Sequence, residues 1–417
     1  MKKFLALLLA LVMVFALAAC GGDPATDPSD EPGATSEDPA PEDSTTPSDD
    51  PEAAIDPDDI EDNPEFDSYE IAFITDVGQL HDRSFNEGTW NGVKLYAYQN
   101  DLSYRYYQPA NEDSATDDDR YDAMVMAVEN GAKVVVCAGY LQEAAIRRAA
   151  IEYPDVHFVF IDGYSLTENP EDENSAVLTN VAGINFREEQ CGYLAGYAVV
   201  MDGFESLGFS GGGGGTNAAC CRYGYGFLQG ASAAAQELNK NVTVNYSWQY
   251  GNNFQASPEL LTMISGWYNT GTEIVFACGG SMFNSISAAA SANEGYVVGV
   301  DVDQSGESET VITSAMKGID QAAILALGHH FDGTWDEIGG TTTTLGAAED
   351  AVGLPTAEDS WRFEEFTVEQ YEELFNGILD GTISVDANYP TVDDIPNNPD
   401  DAGSLNGVLP NITINVV

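Results

Sequence analysis

The chain has 417 residues, and its 69 Asp and Glu against 14 Lys and Arg leave a formal charge of −55. That balance excludes nucleic acid as a partner, because gripping phosphates needs clustered basic side chains. Setting Cys20 aside leaves the odd number of five cysteines, with no Cys-x-x-Cys spacing, which excludes a disulfide scaffold and a zinc site, so no metal or cofactor is expected.

At the N-terminus, Met1-Lys2-Lys3 precedes an unbroken apolar run from Phe4 to Ala16, followed by Leu17-Ala18-Ala19-Cys20-Gly21. A charged start, a short apolar stretch and small residues at a cut site predict a secretory signal over residues 1–19, too short for a comfortable membrane span. Cys20 behind the small pair resembles the lipobox of bacterial lipoproteins. The resemblance implies that Cys20 becomes an acylated mature N-terminus, anchoring the chain by lipid to the extracytoplasmic face of the cell membrane. Residues 20–67 carry no basic residue and almost nothing aromatic, so they are expected to form a disordered acidic tether. Even as a flexible coil it averages roughly 40 Å end to end.

Beyond the tether, short apolar runs alternate with helical stretches. Strands are predicted over Glu70–Thr75, Ala132–Cys137, His157–Ile161 and Val177–Ile184, then over Ser206–Phe209, Val242–Tyr246, Glu273–Cys278 and Tyr296–Val300. Helices are predicted over Arg120–Asn130, Leu141–Tyr153, Glu188–Met201, Gly224–Asn239, Pro258–Tyr268, Ser281–Asn293 and Ser314–Asp332. A loose polar segment, Gly339–Gly353, precedes Phe363–Asp380 and a short C-terminal strand. Strands apolar throughout and taking turns with helices predict an α/β fold, parallel sheets covered on both faces. Cys137 and Cys278 fall in such strands and read as small buried hydrophobes.

The remaining length exceeds one compact core and suits two lobes. Several strands end in polar residues or glycine: Thr75-Asp76, Gly139-Tyr140, Gly279-Gly280-Ser281 and Asp301. Ligands of open α/β sheets bind beyond the carboxyl ends of strands, so these tips face one crevice if two such sheets oppose each other. The first lobe is expected to comprise residues 68–185 plus about 305–335, and the second residues 186–304 plus about 336–417.

Thr75-Asp76-Val77-Gly78 with Asp82-Arg83-Ser84-Phe85-Asn86 resembles the opening motif of the basic membrane protein family, the purine nucleoside receptor lipoproteins of ABC transporters. Matches continue in order through Phe160-Ile161-Asp162-Gly163, Glu188-Glu189-Gln190, Gly192-Tyr193-Leu194-Ala195-Gly196-Tyr197 and Arg222-Tyr223-Gly224-Tyr225-Gly226-Phe227. They end with Gly251 and Phe254, Phe276-Ala277-Cys278-Gly279-Gly280, Gly299-Val300-Asp301-Val302-Asp303-Gln304 and Thr313-Ser314-Ala315-Met316-Lys317. The resemblance implies a type I periplasmic-binding-protein fold: two Rossmann-like lobes, three hinge crossings, and a purine nucleoside such as inosine, guanosine or adenosine caught between them. It also implies an ABC permease as partner, and a monomer is expected.

Phe85 and Phe254 stand where the family places aromatics, and are assigned to stack on the base, with Trp248 as substitute for the second. Asp76, ending the first strand, accepts from the base edge; Ser84 and Asn86 complete that edge, or Asn86 instead caps the next helix. Asp301, at a strand tip, accepts from both hydroxyls of a ribose diol, and Lys317 donates to a ribose oxygen. Gly279 and Gly280 allow close backbone approach. Glu143 occupies a place where relatives carry an acid. Asp303 and Gln304 read as hinge or supporting groups. The run Gly211–Gly215 lacks the Gly-Lys-Ser/Thr of a phosphate loop and reads as a turn. Arg222 is assigned to closing the cleft or holding a carboxylate.

With no Ser-His-Asp series, an enzyme is not expected. Capture of another small polar solute such as a sugar, or sensing without transport, are the alternative readings.

Overall fold

A computed structural model describes residues 55–77, 79–388 and 401–417. The signal segment, Cys20 and most of the acidic tether lie outside the described residues.

The first sheet draws on β1 (Ile71–Ile74), α1 (Phe85–Gln99), β2 (Tyr104–Tyr107), α2 (Asp117–Glu129), β3 (Val134–Ala138), α3 (Glu143–Glu152), β4 (His157–Ile161) and β5 (Val181–Phe186). The second draws on α4 (Glu188–Met201), β6 (Ser206–Gly211), α5 (Ala218–Glu237), β7 (Val242–Ser247), α6 (Pro258–Asn269), β8 (Ile274–Cys278), α7 (Met282–Ala292), β9 (Tyr296–Asp301) and β10 (Val311–Lys317). The chain closes with α8 (Ile319–Phe331), β11 (Thr342–Leu345), β12 (Val352–Gly353), α9 (Val368–Leu379) and β13 (Ile412–Val416). Strands of the first sheet run in the order β11-β5-β4-β3-β1-β2, all parallel. The second has the order β12-β10-β9-β8-β6-β7-β13, with only β12 antiparallel. Central strands β1, β3 and β8 are buried at every position, as sheets covered on both faces require.

The chain crosses between lobes three times. It leaves the first sheet after Phe186 and joins the second lobe in α4; it returns at Gly318 into α8, which packs on α1; and it crosses again between β11, in the first sheet, and β12, in the second. The third piece of the first lobe is therefore about residues 318–345 rather than 305–335. The shift has a local cause: Val311-Ile312-Thr313 is β-branched and the strand carries on through Lys317, so the helix predicted from Ser314 starts only after Gly318. The polar segment 339–353, expected to be loose, contains β11 and β12.

The boundary of the tether is also corrected. Ile60 is buried, the Tyr104 hydroxyl donates to the Glu61 carbonyl at 2.6 Å, and Asp62 accepts from the Trp90 indole at 2.8 Å while pairing with buried Lys94 at 3.0 Å. Folded structure thus begins before residue 68.

In the second lobe α4 and α5 cross almost backbone to backbone. A Cβ on Gly192 would stand 2.2 Å from the Tyr223 carbonyl oxygen, and one on Gly226 would stand 2.1 Å from that of Glu189. The glycine spacing in both helices is what permits this approach, and it seats Glu188 and Arg222 against each other.

Candidate ligand-binding site

Strand tips of both sheets converge on a cavity lined from both lobes. From the first come Asp76, Asp82, Phe85, Asn86, Tyr140 and Asp162; from the second come Tyr223, Phe254, Gly279, Gly280, Asp301 and Lys317. The structure thus brings together eight of the ten predicted ligand residues; Ser84 lies just behind the wall and Glu143 lies outside.

Asp76 leaves β1 with its backbone N–H donating to the Asn86 side chain at 2.8 Å. A Cβ on Gly139, where φ is +92°, would stand 2.1 Å from Asp76 Oδ2, so a glycine there makes room for the carboxylate. Asp76 is 8% exposed, and its Oδ1 is buried without a hydrogen-bond partner. Burial pushes its carboxyl up to about 7, with Asp162 and Asp82 adding to the rise and Arg120 opposing it. The Asn86 amide donates to the Val77 carbonyl and to Asp82, so its side chain also shapes the loop while lining the cavity. Asp82, which sequence reasoning passed over, accepts from the backbone N–H groups of Ser84, Asn86 and Glu87 and so caps α1. Burial still pushes its carboxyl up to about 6.

The two rings come from opposite lobes. Phe85 opens α1. Phe254 sits at φ +60°, its ring laid over glycines: a Cβ on Gly212 would fall 2.3 Å from ring carbons, and one on Gly279 3.0 Å. Gly212 and Gly213, with Gly279, are thus the bed on which this ring rests. Trp248 is not a substitute; it is buried against Phe209 and Tyr246 in the core of the second lobe.

The far wall is ionic. Lys317, 4% exposed, stands 2.6 Å from Asp162, 3.6 Å from Glu188 and 3.7 Å from Asp301, with the Phe85 ring centroid at 4.8 Å. Burial works against its charge, yet the carboxylates of Asp162, Asp301 and Glu188 outweigh it and hold the ammonium protonated well above the ordinary lysine range. Asp162 is driven upward by burial and by Glu188, with Lys317 opposing. Both acids turn through left-handed backbone at their strand ends, φ +58° for Asp162 and +67° for Asp301. Asp162 was missed although it follows β4 as Asp76 follows β1; the strand-tip argument applied evenly would have found it. Ser84 reaches across from the first lobe, its hydroxyl donating to Asp301 Oδ2 at 2.7 Å. Gln304 donates to the Arg83 carbonyl across the cleft and accepts from Val300 N–H.

Glu143 is a correction. The turn Tyr140–Gln142 directs Tyr140 at the cavity and Gln142 into the sheet, where its amide donates to the carbonyls of Ile74, Thr75 and Ala138. Glu143 then starts α3 on the outside and pairs with Arg147 one turn on.

A family model described as ABC transporter substrate-binding protein PnrA-like (Bmp) matches residues 70–389. The chain belongs to the Bmp family. Similar proteins include one from Listeria monocytogenes named CD4+ T-cell-stimulating antigen, 27% identical over 76% of this chain and 88% of its own length. Another is the Lactococcus lactis ABC transporter nucleoside-binding protein BmpA, 26% identical over 56% of this chain and 64% of its own. Basic membrane protein B of Borreliella burgdorferi is 29% identical over 55% and 64%. Among solved structures, an ABC transporter solute-binding protein from Aeropyrum pernix K1 superposes with a TM-score of 0.57 at 21% identity, covering 76% of this chain and 88% of that one. One from Conexibacter woesei gives 0.58 at 18%, covering 77% and 99%. At these identities the likeness speaks for the two-lobed fold alone. The family is one of extracytoplasmic substrate-binding proteins rather than enzymes, working with a small-molecule ligand and a membrane permease. No helix among the described residues is long and apolar enough to cross a membrane.

Proposed function

We propose that this Bmp-family protein captures a purine nucleoside between its lobes and presents it to its permease, tethered through an acylated Cys20. The observation that carries the reading is the buried, unpartnered Oδ1 of Asp76 in a cavity that also receives Phe85 and Phe254 from opposite lobes. A carboxylate oxygen stripped of water and of protein donors is satisfied by an N–H on the ligand, and an analogue without one leaves it unpaired. Two rings suit a flat base, each stack contributing about 1–3 kcal/mol. Asp301 and Lys317 supply an acceptor and a donor for a ribose diol at the opposite wall. The name of the Lactococcus relative, a nucleoside-binding protein, supports the same class.

Capture then works by population shift: a ligand touching both walls stabilises the closed state by its differential contacts. A thermal-shift panel of purine nucleosides, free bases and sugars tests this. A nucleoside at a hundred times its Kd adds about 2.7 kcal/mol of stability. A shift with sugars and none with nucleosides overturns the reading.

A further inference from the structure

We infer that Arg222, which does not line the cavity, is a positioning residue for the ribose wall and acts through Glu188 on Lys317. The inference rests on the nucleoside reading above.

Three carboxylates compete for the Lys317 ammonium. Asp162 holds it at 2.6 Å; Glu188 and Asp301 stand farther off, at 3.6 and 3.7 Å. Glu188 is fully buried, so left alone it would be the strongest competitor, because an uncompensated carboxylate in a dry interior draws any cation within reach. Arg222 prevents this. Its Nε donates to Glu188 Oε2 at 2.6 Å, and its Nη1 stands 3.5 Å from the hydroxyl of Tyr164, a residue of the first lobe. With one Glu188 oxygen satisfied by the guanidinium, the other, Oε1, stays beyond hydrogen-bond distance of Lys317, and the ammonium remains between Asp162 and Asp301 at the cavity wall.

The placement also explains why the pair sits where it does. Glu188 opens α4 just after the first crossing, Lys317 ends β10 just before the second, and Arg222 is on α5, locked against α4 by the glycine contacts. The chain of charges Arg222, Glu188, Lys317, Asp162 therefore runs through two crossings and ends at a strand tip of the first lobe.

The test compares inosine with hypoxanthine by calorimetry on the protein, R222M and the charge-balanced pair E188Q/R222M. Arg222→Met removes the guanidinium, frees Glu188 to pull Lys317 inward, and is expected to weaken inosine about tenfold while changing hypoxanthine less than about twofold. Restoring neutrality at position 188 in the double variant returns inosine affinity to within about threefold of the unsubstituted protein. Equal losses for inosine and hypoxanthine in R222M, no loss at all, or no recovery in the double variant overturn the positioning role. Failure of the unsubstituted protein to bind inosine overturns the nucleoside reading itself and this inference with it, a result distinct from the others. Should R222M not fold, the double variant decides alone: its binding inosine as the unsubstituted protein does supports the role, and a tenfold deficit overturns it.

Discussion

The hydroxyl of Ser84, at the start of α1 in the first lobe, donates to Asp301 Oδ2, at the tip of β9 in the second, across 2.7 Å. This bond joins the lobes, and Arg83 pairs with Glu307 close by along the same rim. Each such contact favours the closed arrangement of the lobes. Ser84→Ala removes one such bond, which at about 1 kcal/mol weakens inosine binding about fivefold by lowering the fraction of binding-competent molecules. Small-angle scattering of ligand-free S84A should give a larger radius of gyration than the parent. Unchanged scattering and affinity would show that the bond follows closure instead of favouring it.

The aromatic pair gives two variants with separate logic. Phe85→Ala removes a stacking face and is expected to raise the Kd for a purine nucleoside at least about tenfold, or 1.4 kcal/mol. Gly212→Ala leaves both rings in the sequence but places a methyl 2.3 Å from the ring of Phe254, so the ring must leave its bed. Its affinity loss should approach that of Phe254→Ala. If G212A binds as the parent does, the ring is not held by its glycine support.

Burial raises the Asp76 carboxyl from its ordinary 3.8 to about 7, and Asp82 and Glu189 are raised by burial too, to about 6 and 7. Acids with a raised folded-state pKa favour the folded state at low pH, and that contribution is lost as pH rises from about 4 through 7. The ligand-free protein should therefore melt higher at pH 5 than at pH 8, and Asp76→Asn should flatten part of the slope. Binding runs the other way. A ligand N–H needs the ionised carboxylate, so nucleoside affinity should climb from pH 6 to pH 8 in the parent and stay level in D76N. Affinity independent of pH in both would remove Asp76 from the base edge.

Much of the fold was legible because its signals are local. The runs at β3 and β8 are apolar at every position, and caps such as Ser257-Pro258 are short-range. What escaped were elements whose apolar pattern is interrupted. α1 carries Asn86, Gly88, Asn91 and Gly92, two of them glycines packed against Ile319 and Asp320 of another segment. At the site, strand-tip chemistry found Asp76 and Asp301, while Glu143 failed because a short helical turn reverses direction within three residues. Trp248 failed for another reason: proximity in sequence to Phe254 says nothing of which face of the loop a side chain takes. The link from Arg222 through Glu188 to Lys317 joins residues far apart in the chain, and no spacing encodes it.

The folded boundary at the N-terminus can be tested by truncation. A chain beginning at residue 55 keeps Ile60 in the core and Asp62 on Lys94 and Trp90, so its melting temperature should match that of the longer chain. Beginning at residue 68 removes both contacts. Lys94, only 2% exposed, then keeps a buried ammonium with no carboxylate beside it, and breaking a buried pair in this way is strongly destabilising. The expected fall in melting temperature is at least about 5 °C. Lys94→Met in the shorter chain should recover part of it, since the charge that lost its partner is gone. Were the two truncations to melt together, the segment from Ile60 to Asp67 would be spacer, and the tether would reach the first strand as its composition alone suggests.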